Sequence, residues 1–581
     1  MKLSELLQTG WRDTTLTPLA DIDIALVHML QQLQPSGDAR HLWLAALASH
    51  QWGRGHACLD LQAWPNSAAL LLGWSPIALA ALPPDLAAGL PDMPWATGEA
   101  SPLVVDGLRL YLRRAWQAEL TIRSHLVAMQ QSRVPPPDLA QQLTLLFGDD
   151  PNDRQRLACA HAARNALTLI TGGPGTGKTT TVVKLLRILQ AGSAAPLRTL
   201  LAAPTGKAAA RLMQAMTQAR ASLSPPEAAC LPTSAQTLHK LLYAPHGALP
   251  RLEADVIVVD EASMIDLELM ARLLKAVPAQ SRLVLLGDKD QLASVQAGAV
   301  MAQLCQAPWL QPHTIVLTHS HRFDPEQGIG AWARSCNAGD SAGLQKLWHA
   351  APMGCWSESA SVSHLSSPQS AVVDVLPSVA LGFADWLQLL APHQQGLACS
   401  DAQALDLLQS FGRVGVLCAL REGPWGVNHF NLQLQQAMGF ALSDWFIGRP
   451  VMARRNDYAL GLMNGDVGLC LPTFVEGALR LRVAFPNGQG GVRWLVPTRL
   501  EAIDTVFAMT VHQSQGSEFE QVLLVLPDSP TPVLTRELIY TGMTRAREKL
   551  CVWAPSPDLL MQAITTTVVR SGGLAQTRLF I

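Results

Sequence analysis

Gly172-Gly173-Pro174-Gly175-Thr176-Gly177-Lys178-Thr179 lies between the apolar run Leu167 to Thr171 and a helical pattern from Thr180 to Leu189. A glycine-rich loop between strand and helix lets backbone N–H groups wrap a phosphate, and the helix N-terminus favours its negative charge. Lys178 is placed to reach the β- and γ-phosphates of a nucleotide and Thr179 to offer a hydroxyl to Mg2+, with Thr180 following at the helix start. Outward from this loop, Thr199 to Ala203, Val256 to Val259, Leu283 to Leu286 and Thr314 to Leu317 are short β-branched or leucine-rich runs separated by helical stretches. That alternation predicts βαβ units and a parallel sheet.

The run Val256 to Val259 ends in Asp260-Glu261-Ala262-Ser263, two carboxylates at the carboxyl edge of the sheet, where open α/β folds bind ligands. Asp260 suits the Mg2+ shell, acting through water, and Glu261 suits the base that orients and deprotonates an attacking water. These features make an ATPase; they do not by themselves make a motor. Gln155, in Asp153-Arg154-Gln155-Arg156, matches an adenine-recognising glutamine, since its amide both donates to and accepts from a base edge.

The remaining motifs come in a telling order. Leu286-Gly287-Asp288-Lys289-Asp290-Gln291-Leu292 resembles motif III of superfamily 1 helicases, with Gln291 sensing the γ-phosphate. Ala203-Pro204-Thr205-Gly206-Lys207-Ala208-Ala209 resembles motif Ia, and Thr237-Leu238-His239-Lys240-Leu241-Leu242 the DNA-contact motif after it. Pro204, Thr205, Lys207, Thr237 and His239 are therefore candidate contacts to a single strand, of the kind that position DNA without reading its sequence. Ser320-His321-Arg322-Phe323 resembles motif IV, with Arg322 on the γ-phosphate and His321 where the family usually carries tyrosine. Thr510-Val511-His512-Gln513-Ser514-Gln515-Gly516-Ser517-Glu518 resembles motif V, in which Thr510, His512 and Gln515 face the strand. Tyr540-Thr541-Gly542-Met543-Thr544-Arg545-Ala546 resembles motif VI, and Arg545 is the arginine-finger candidate.

A second alternating region, Arg413 to Ala419, Val506 to Thr510, Val522 to Leu526 and Leu550 to Trp553, has no phosphate loop. It reads as the partner that completes one ATP site, so that hydrolysis opens and closes a cleft. Arg449 to Pro497 reads as strands and turns, with Asn464-Gly465 a hairpin turn, and suggests a small β-barrel insertion. Residues 355–405 read as helices and variable loops. Residues 1 to about 130 are helix-like, with breaks at Pro83-Pro84 and Pro91 to Pro94, and Pro135-Pro136-Pro137 reads as a linker.

Together with Ala48-Ser49-His50-Gln51-Trp52-Gly53-Arg54-Gly55-His56-Ala57-Cys58-Leu59, Leu420-Arg421-Glu422-Gly423-Pro424-Trp425-Gly426-Val427 and Leu462-Met463-Asn464-Gly465-Asp466-Val467-Gly468, these motifs resemble the RecD (alpha) subunit family of RecBCD exonuclease V complexes over nearly the whole chain. The resemblance implies an α/β chain with two RecA-like domains, 131–350 and 351–581. The second would carry the β-barrel-like insertion at about 445–500, and a helical partner-docking domain, 1–130, would precede both. It implies an ATP-dependent helicase moving 5′ to 3′ on single-stranded DNA beside RecB-like and RecC-like subunits in a heterotrimer. The setting would be double-strand break repair, recombination and degradation of linear DNA. No acidic cluster followed by Glu-x-Lys stands outside the ATP site, so nuclease activity would belong to the complex. Two other readings stand: a nucleotide-switched regulatory subunit of a nuclease, and a free-standing RecD-type helicase.

Composition bounds all of this. With 581 residues, 49% of them apolar, the chain exceeds what one core supports. A formal net charge of −2 excludes a polybasic protein whose whole surface attracts nucleic acid, so a DNA site is a local groove. The ten cysteines include no CxxC pair, which argues against a cluster or zinc ribbon and for reduced, cytosolic thiols. His50, His56 and Cys58 lie close together but read as a packed loop. The start MKLSELLQTGWRDTT lacks the apolar stretch of a signal peptide, and no run reaches the roughly 20 uninterrupted apolar residues of a spanning helix. A cytoplasmic chain with no membrane partner is expected.

Overall fold

Val256–Val259 is buried on both faces, as a strand inside a parallel sheet must be when helices cover each side. In this computed structural model, which describes residues 19–576 apart from 63, 65, 67, 81, 194, 230, 244–248, 295, 368–371, 458, 488 and 489, it belongs to a six-stranded parallel sheet. The order is Ala235–Thr237, Thr199–Ala203, Val256–Val259, Arg282–Gly287, Leu167–Gly172, Thr314–Leu317. Every pairing is parallel, so the phosphate loop, Asp260 and the Gly287–Leu292 segment all leave the same carboxyl edge from three neighbouring strands. The start of the chain discussed above and Cys230 lie outside the described residues.

The second sheet is also parallel, in the order Val362–Leu365, Ala546–Trp553, Phe519–Val525, Val414–Cys418, Ala508–Thr510. Its edge strand Val362–Leu365 falls where helices and loops were expected. Ser363 and His364 interrupt the apolar run, and only its register against Leu550–Trp553 makes it a strand. The helices Gly328–Ala338 and Ser341–Ala350 were assigned to the first domain, but Ile329, Trp332, Cys336, Leu344 and Trp348 pack into the core of the second sheet. Their apolar faces meet the helices Arg536–Met543 and Pro557–Thr565.

The insertion is a five-stranded antiparallel sheet, ordered Val492–Leu495, Ala478–Pro486, Val467–Val475, Pro450–Ala453, Ile503–Thr505. Its two edge strands are not paired with each other among the described residues, so an open sheet stands where a barrel was expected. Asn464-Gly465 does form a turn: Asp466 N–H donates to the Met463 carbonyl, with Gly465 at φ +91°. It closes the tip of the connection between Pro450–Ala453 and Val467–Val475.

The N-terminal region is helical (Asp21–Leu33, Ala39–Gly53, Arg113–Ala128), with an added three-stranded antiparallel sheet of Leu59–Asp60, Leu103–Asp106 and Arg109–Leu112. Residues 570–576 return to it. Ala57 N–H donates to the Ser571 carbonyl, Gly573 N–H donates to Glu119, and Leu574 is fully buried in the core shared with the first sheet. His50 pairs with Asp23 and accepts from Trp74, His56 faces Ser571, and Cys58 is buried, so these three side chains each have separate surroundings. One segment, Val375–Gln394, is long and apolar enough to span a bilayer by length and composition. It is broken into three helical pieces whose Val379, Phe383, Trp386 and Leu390 are buried against the second sheet.

Candidate nucleotide site and strand-side face

The phosphate loop is held by its own chemistry. Gly177 sits at φ +79° and a Cβ there would lie 2.2 Å from the Gln155 amide; Gly175, at φ +76°, would strike Arg322 at 2.4 Å. Only glycine meets both demands. Lys178 Nζ donates to the carbonyls of Gly172 (2.6 Å) and Gly173 (3.0 Å), and Thr176 Oγ1 donates to the Gly173 carbonyl at 2.8 Å. Pro174 O accepts from Ser320 Oγ at 3.1 Å, tying the loop to the segment that carries Arg322.

Pro174 to Thr180 open onto a cavity of about 730 Å³, and Gly172 and Gly173 lie behind it. Asp260, Glu261, Gln291, Arg322 and Arg545 line the same cavity, so these five converge with Lys178, and all six expected catalytic side chains are together. Gln155 is placed there by its helix: Asp153 caps Arg154–Arg164 by accepting from Gln155 N–H, and the Gln155 amide donates to the Thr176 carbonyl at 3.1 Å. The His321 imidazole lies against that amide, 3.3 Å away, and the His321 backbone N–H donates to Gly175 O. The His321 imidazole thus lies beside Gln155, at the position where the resembling family usually carries tyrosine.

Glu261 adopts left-handed backbone angles (φ 53°), a strained choice for a side chain with a Cβ that is characteristic of functional turns. Its N–H donates to Asp260 Oδ1 at 2.8 Å. Burial and the neighbouring Glu261 charge raise the Asp260 carboxyl above its ordinary range, while Lys178 opposes them. Thr179 and Asp260 share the cavity, and a hydroxyl with a carboxylate is a hard oxygen set of the kind Mg2+ prefers.

The second sheet closes the cleft through the Gly287–Leu292 segment. Gln291 donates to Asp288 Oδ2 (3.0 Å), Tyr540 OH donates to the same oxygen (3.3 Å), and Leu292 N–H donates to Thr541 Oγ1 (2.9 Å). Arg545 is 3% exposed, and its guanidinium donates to the carbonyls of Thr541 and Ser517, both at 3.2 Å. Sequence reasoning quoted Glu518 but gave it no role. It accepts from Arg211 at 2.6 Å and Arg322 at 2.8 Å, and although burial opposes its charge, the two arginines hold its carboxyl down at about 2. Arg211, Tyr540 and Thr541 were likewise given no role, because nothing in their local spacing marks them.

Pro204 and Thr205 follow the strand Thr199–Ala203, and Thr237 ends the neighbouring edge strand Ala235–Thr237. Thr205 and Thr237 cap the helices Gly206–Ala221 and Leu238–Leu241, and His239 is exposed. Burial, then Arg211, push the Lys207 ammonium down to about 8, against the pull of Asp466 from the insertion turn. Thr510 is engaged with Gln513 (3.1 Å), and His512 is half-buried, its imidazole disfavoured as a cation by burial and Arg570. Gln515 departs from the expected strand contact: it is 8% exposed and its amide donates to the Leu292 carbonyl at 2.8 Å, tying the second sheet to the first.

Two parallel-sheet lobes, one with a phosphate loop and one without, meet at a nucleotide cleft, which is the architecture of an ATP-driven helicase motor. Family models match in register: "RecBCD enzyme subunit RecD, N-terminal domain" over residues 16–111, an AAA domain over 150–354, and a "UvrD-like helicase C-terminal domain" over 505–553. The chain is 36% identical to the RecBCD enzyme subunit RecD of Mycolicibacterium smegmatis, covering 96% of this chain and 97% of that one. It is 30% identical to the ATP-dependent RecD2 DNA helicase of Deinococcus radiodurans, over 78% of this chain and 55% of that protein. A Bacteroides Pif1 helicase solved with ADP-AlF3 and single-stranded DNA is similar at 17% identity and a TM-score of 0.34, covering 74% of this chain and 94% of that one. The chain belongs to the RecD family.

Proposed function

We propose that this chain is the ATP-driven unwinding motor of a RecBCD-type helicase–nuclease, moving 5′ to 3′ on single-stranded DNA beside RecB-like and RecC-like subunits. Its work would be double-strand break repair, recombination and degradation of linear DNA. The observation that carries the reading is the convergence of Lys178, Asp260, Glu261, Gln291, Arg322 and Arg545 on one cleft between the lobes. In this reading Gln155 holds the adenine, the 172–180 loop holds the phosphates, and Thr179 with Asp260 hold Mg2+. Glu261 orients the attacking water, and Gln291, Arg322 and Arg545 answer to the γ-phosphate. Pro204, Thr205, Lys207, Thr237, His239, Thr510 and His512 grip the strand.

The test is ATP hydrolysis by the purified chain with and without single-stranded DNA, alone and with the two partner subunits. Stimulation by DNA that Glu261→Gln lowers by about 10²–10⁴-fold is expected of a translocating motor whose base is removed. Hydrolysis indifferent to DNA would move the assignment to a nucleotide-switched regulatory subunit.

Support for a subunit comes from the helix Asp21–Leu33, which buries Val27 and Leu30 yet leaves Ile22, Met29 and Leu33 at 73%, 46% and 69% exposure. Their spacing makes one apolar stripe on the outer face, a pattern suited to a partner. The double substitution Ile22→Glu, Leu33→Glu is expected to weaken assembly with the partner subunits about tenfold or more, leaving the chain's own ATPase intact. Unchanged co-elution on size exclusion would place the docking surface elsewhere.

A further inference from the structure

Glu518 accepts one arginine on each carboxylate oxygen. Oε1 takes Arg211 from the helix Gly206–Ala221, and Oε2 takes Arg322 from the segment that follows the first sheet. Arg211 also donates to the Gly516 carbonyl at 3.0 Å, so it grips the 510–518 loop at two points. Glu518 is only 17% exposed at its side chain, and a half-buried carboxylate stripped of its cations is costly.

We propose that Arg211 is a positioning residue that acts through Glu518 on Arg322, so that the seating of the helix Gly206–Ala221 on a DNA strand is read out at the γ-phosphate. The proposal rests on the strand-side role given above to the start of that helix. Thr205 caps the helix and Lys207 lies in its first turn, four residues before Arg211 and therefore on the same face. A rigid helix that moves to follow a bound phosphate backbone carries Arg211 with it. At the other end of the bridge, Arg322 gives Nη2 to Glu518 while its Nη1 has no hydrogen-bond partner among the described residues, so Glu518 and a γ-phosphate would share one guanidinium and compete for its charge. Arg211 keeps Glu518 compensated while Arg322 turns toward the nucleotide, which lowers the cost of that transfer when the helix is seated and raises it when it is not. The neighbouring Ser517 carbonyl holds Arg545, so a shift of this loop reaches both γ-phosphate arginines.

The experiment compares Arg211→Gln and Arg211→Lys with the unsubstituted full chain, measuring kcat and KM for ATP with and without oligo-dT. The Arg211→Gln variant is expected to lose DNA stimulation, its ratio of stimulated to basal kcat falling about fivefold or more, with KM for ATP moving little. Arg211→Lys, which keeps the charge, is expected to recover stimulation. An unchanged ratio in Arg211→Gln would overturn the proposal. So would an equal fall of the basal and stimulated rates, or a loss that lysine does not rescue. If the unsubstituted chain shows no stimulation by oligo-dT, the strand-side reading itself fails and takes this proposal with it.

Discussion

Glutamine in place of Lys178 is expected to leave a folded chain that has lost ATP hydrolysis, kcat falling by about 10²–10³-fold or more, the scale of removing one charged donor from a transferring group. The ammonium already lies on the carbonyls of Gly172 and Gly173, at the back of the loop that cradles the phosphates. Glutamine can replace a hydrogen bond there but not the charge. Lys178 also counters the effect of burial on Asp260 and Asp288, holding both carboxyls lower than burial alone would set them. Without it both rise further, so residual Mg2+-dependent nucleotide binding through Asp260 should weaken as the pH is lowered, because more of that carboxyl is then protonated and unable to hold the cation. Phosphate release at saturating ATP, read beside a thermal unfolding curve, decides the matter. Full activity in a normally folded variant would remove Lys178 from the site.

Arg545→Lys should cost about 10³-fold or more in kcat with a much smaller change in KM, as expected of an arginine finger that acts on the transition state. Arg545 reaches the cavity from the second lobe, anchored by the carbonyls of Thr541 and Ser517. Glu261, Glu518 and Asp288 surround it and offset the burial that disfavours its charge. Lysine keeps one charge but offers no planar fork to span carbonyls and phosphate together. Steady-state kinetics across ATP concentration checks this. A raised KM at unchanged kcat would mean that Arg545 binds the ground state and does not act on the reaction step.

Much of the candidate site was legible because its chemistry is local. The phosphate loop needs glycines, a lysine and a hydroxyl within one turn of backbone, and the Asp260-Glu261 pair needs only a strand end. Strands such as Leu167–Gly172, Val256–Val259 and Arg282–Gly287 stood out because buried parallel strands are continuous apolar runs. The hairpin of the N-terminal sheet was also signalled: Asp106-Gly107 lies between apolar, β-rich runs, and Asp106 pairs with Arg109 across a two-residue loop in which Gly107 takes φ +59°. The helical pattern on either side hid it.

The amino-acid sequence by itself determined the nucleotide chemistry, the two parallel sheets and the order of the motor motifs, since each is written in residues that neighbour one another along a strand, turn or helix. Tertiary structure alone decided that the helices of 328–350 serve the second sheet, that residues 570–576 strap the N-terminal region, that Gln515 bonds to Leu292, and that Glu518 joins Arg211 to Arg322. The physical reason is the same in each case. An apolar face, an amide or a charge specifies what kind of partner it needs but not where along the chain that partner lies, and only packing brings the two together.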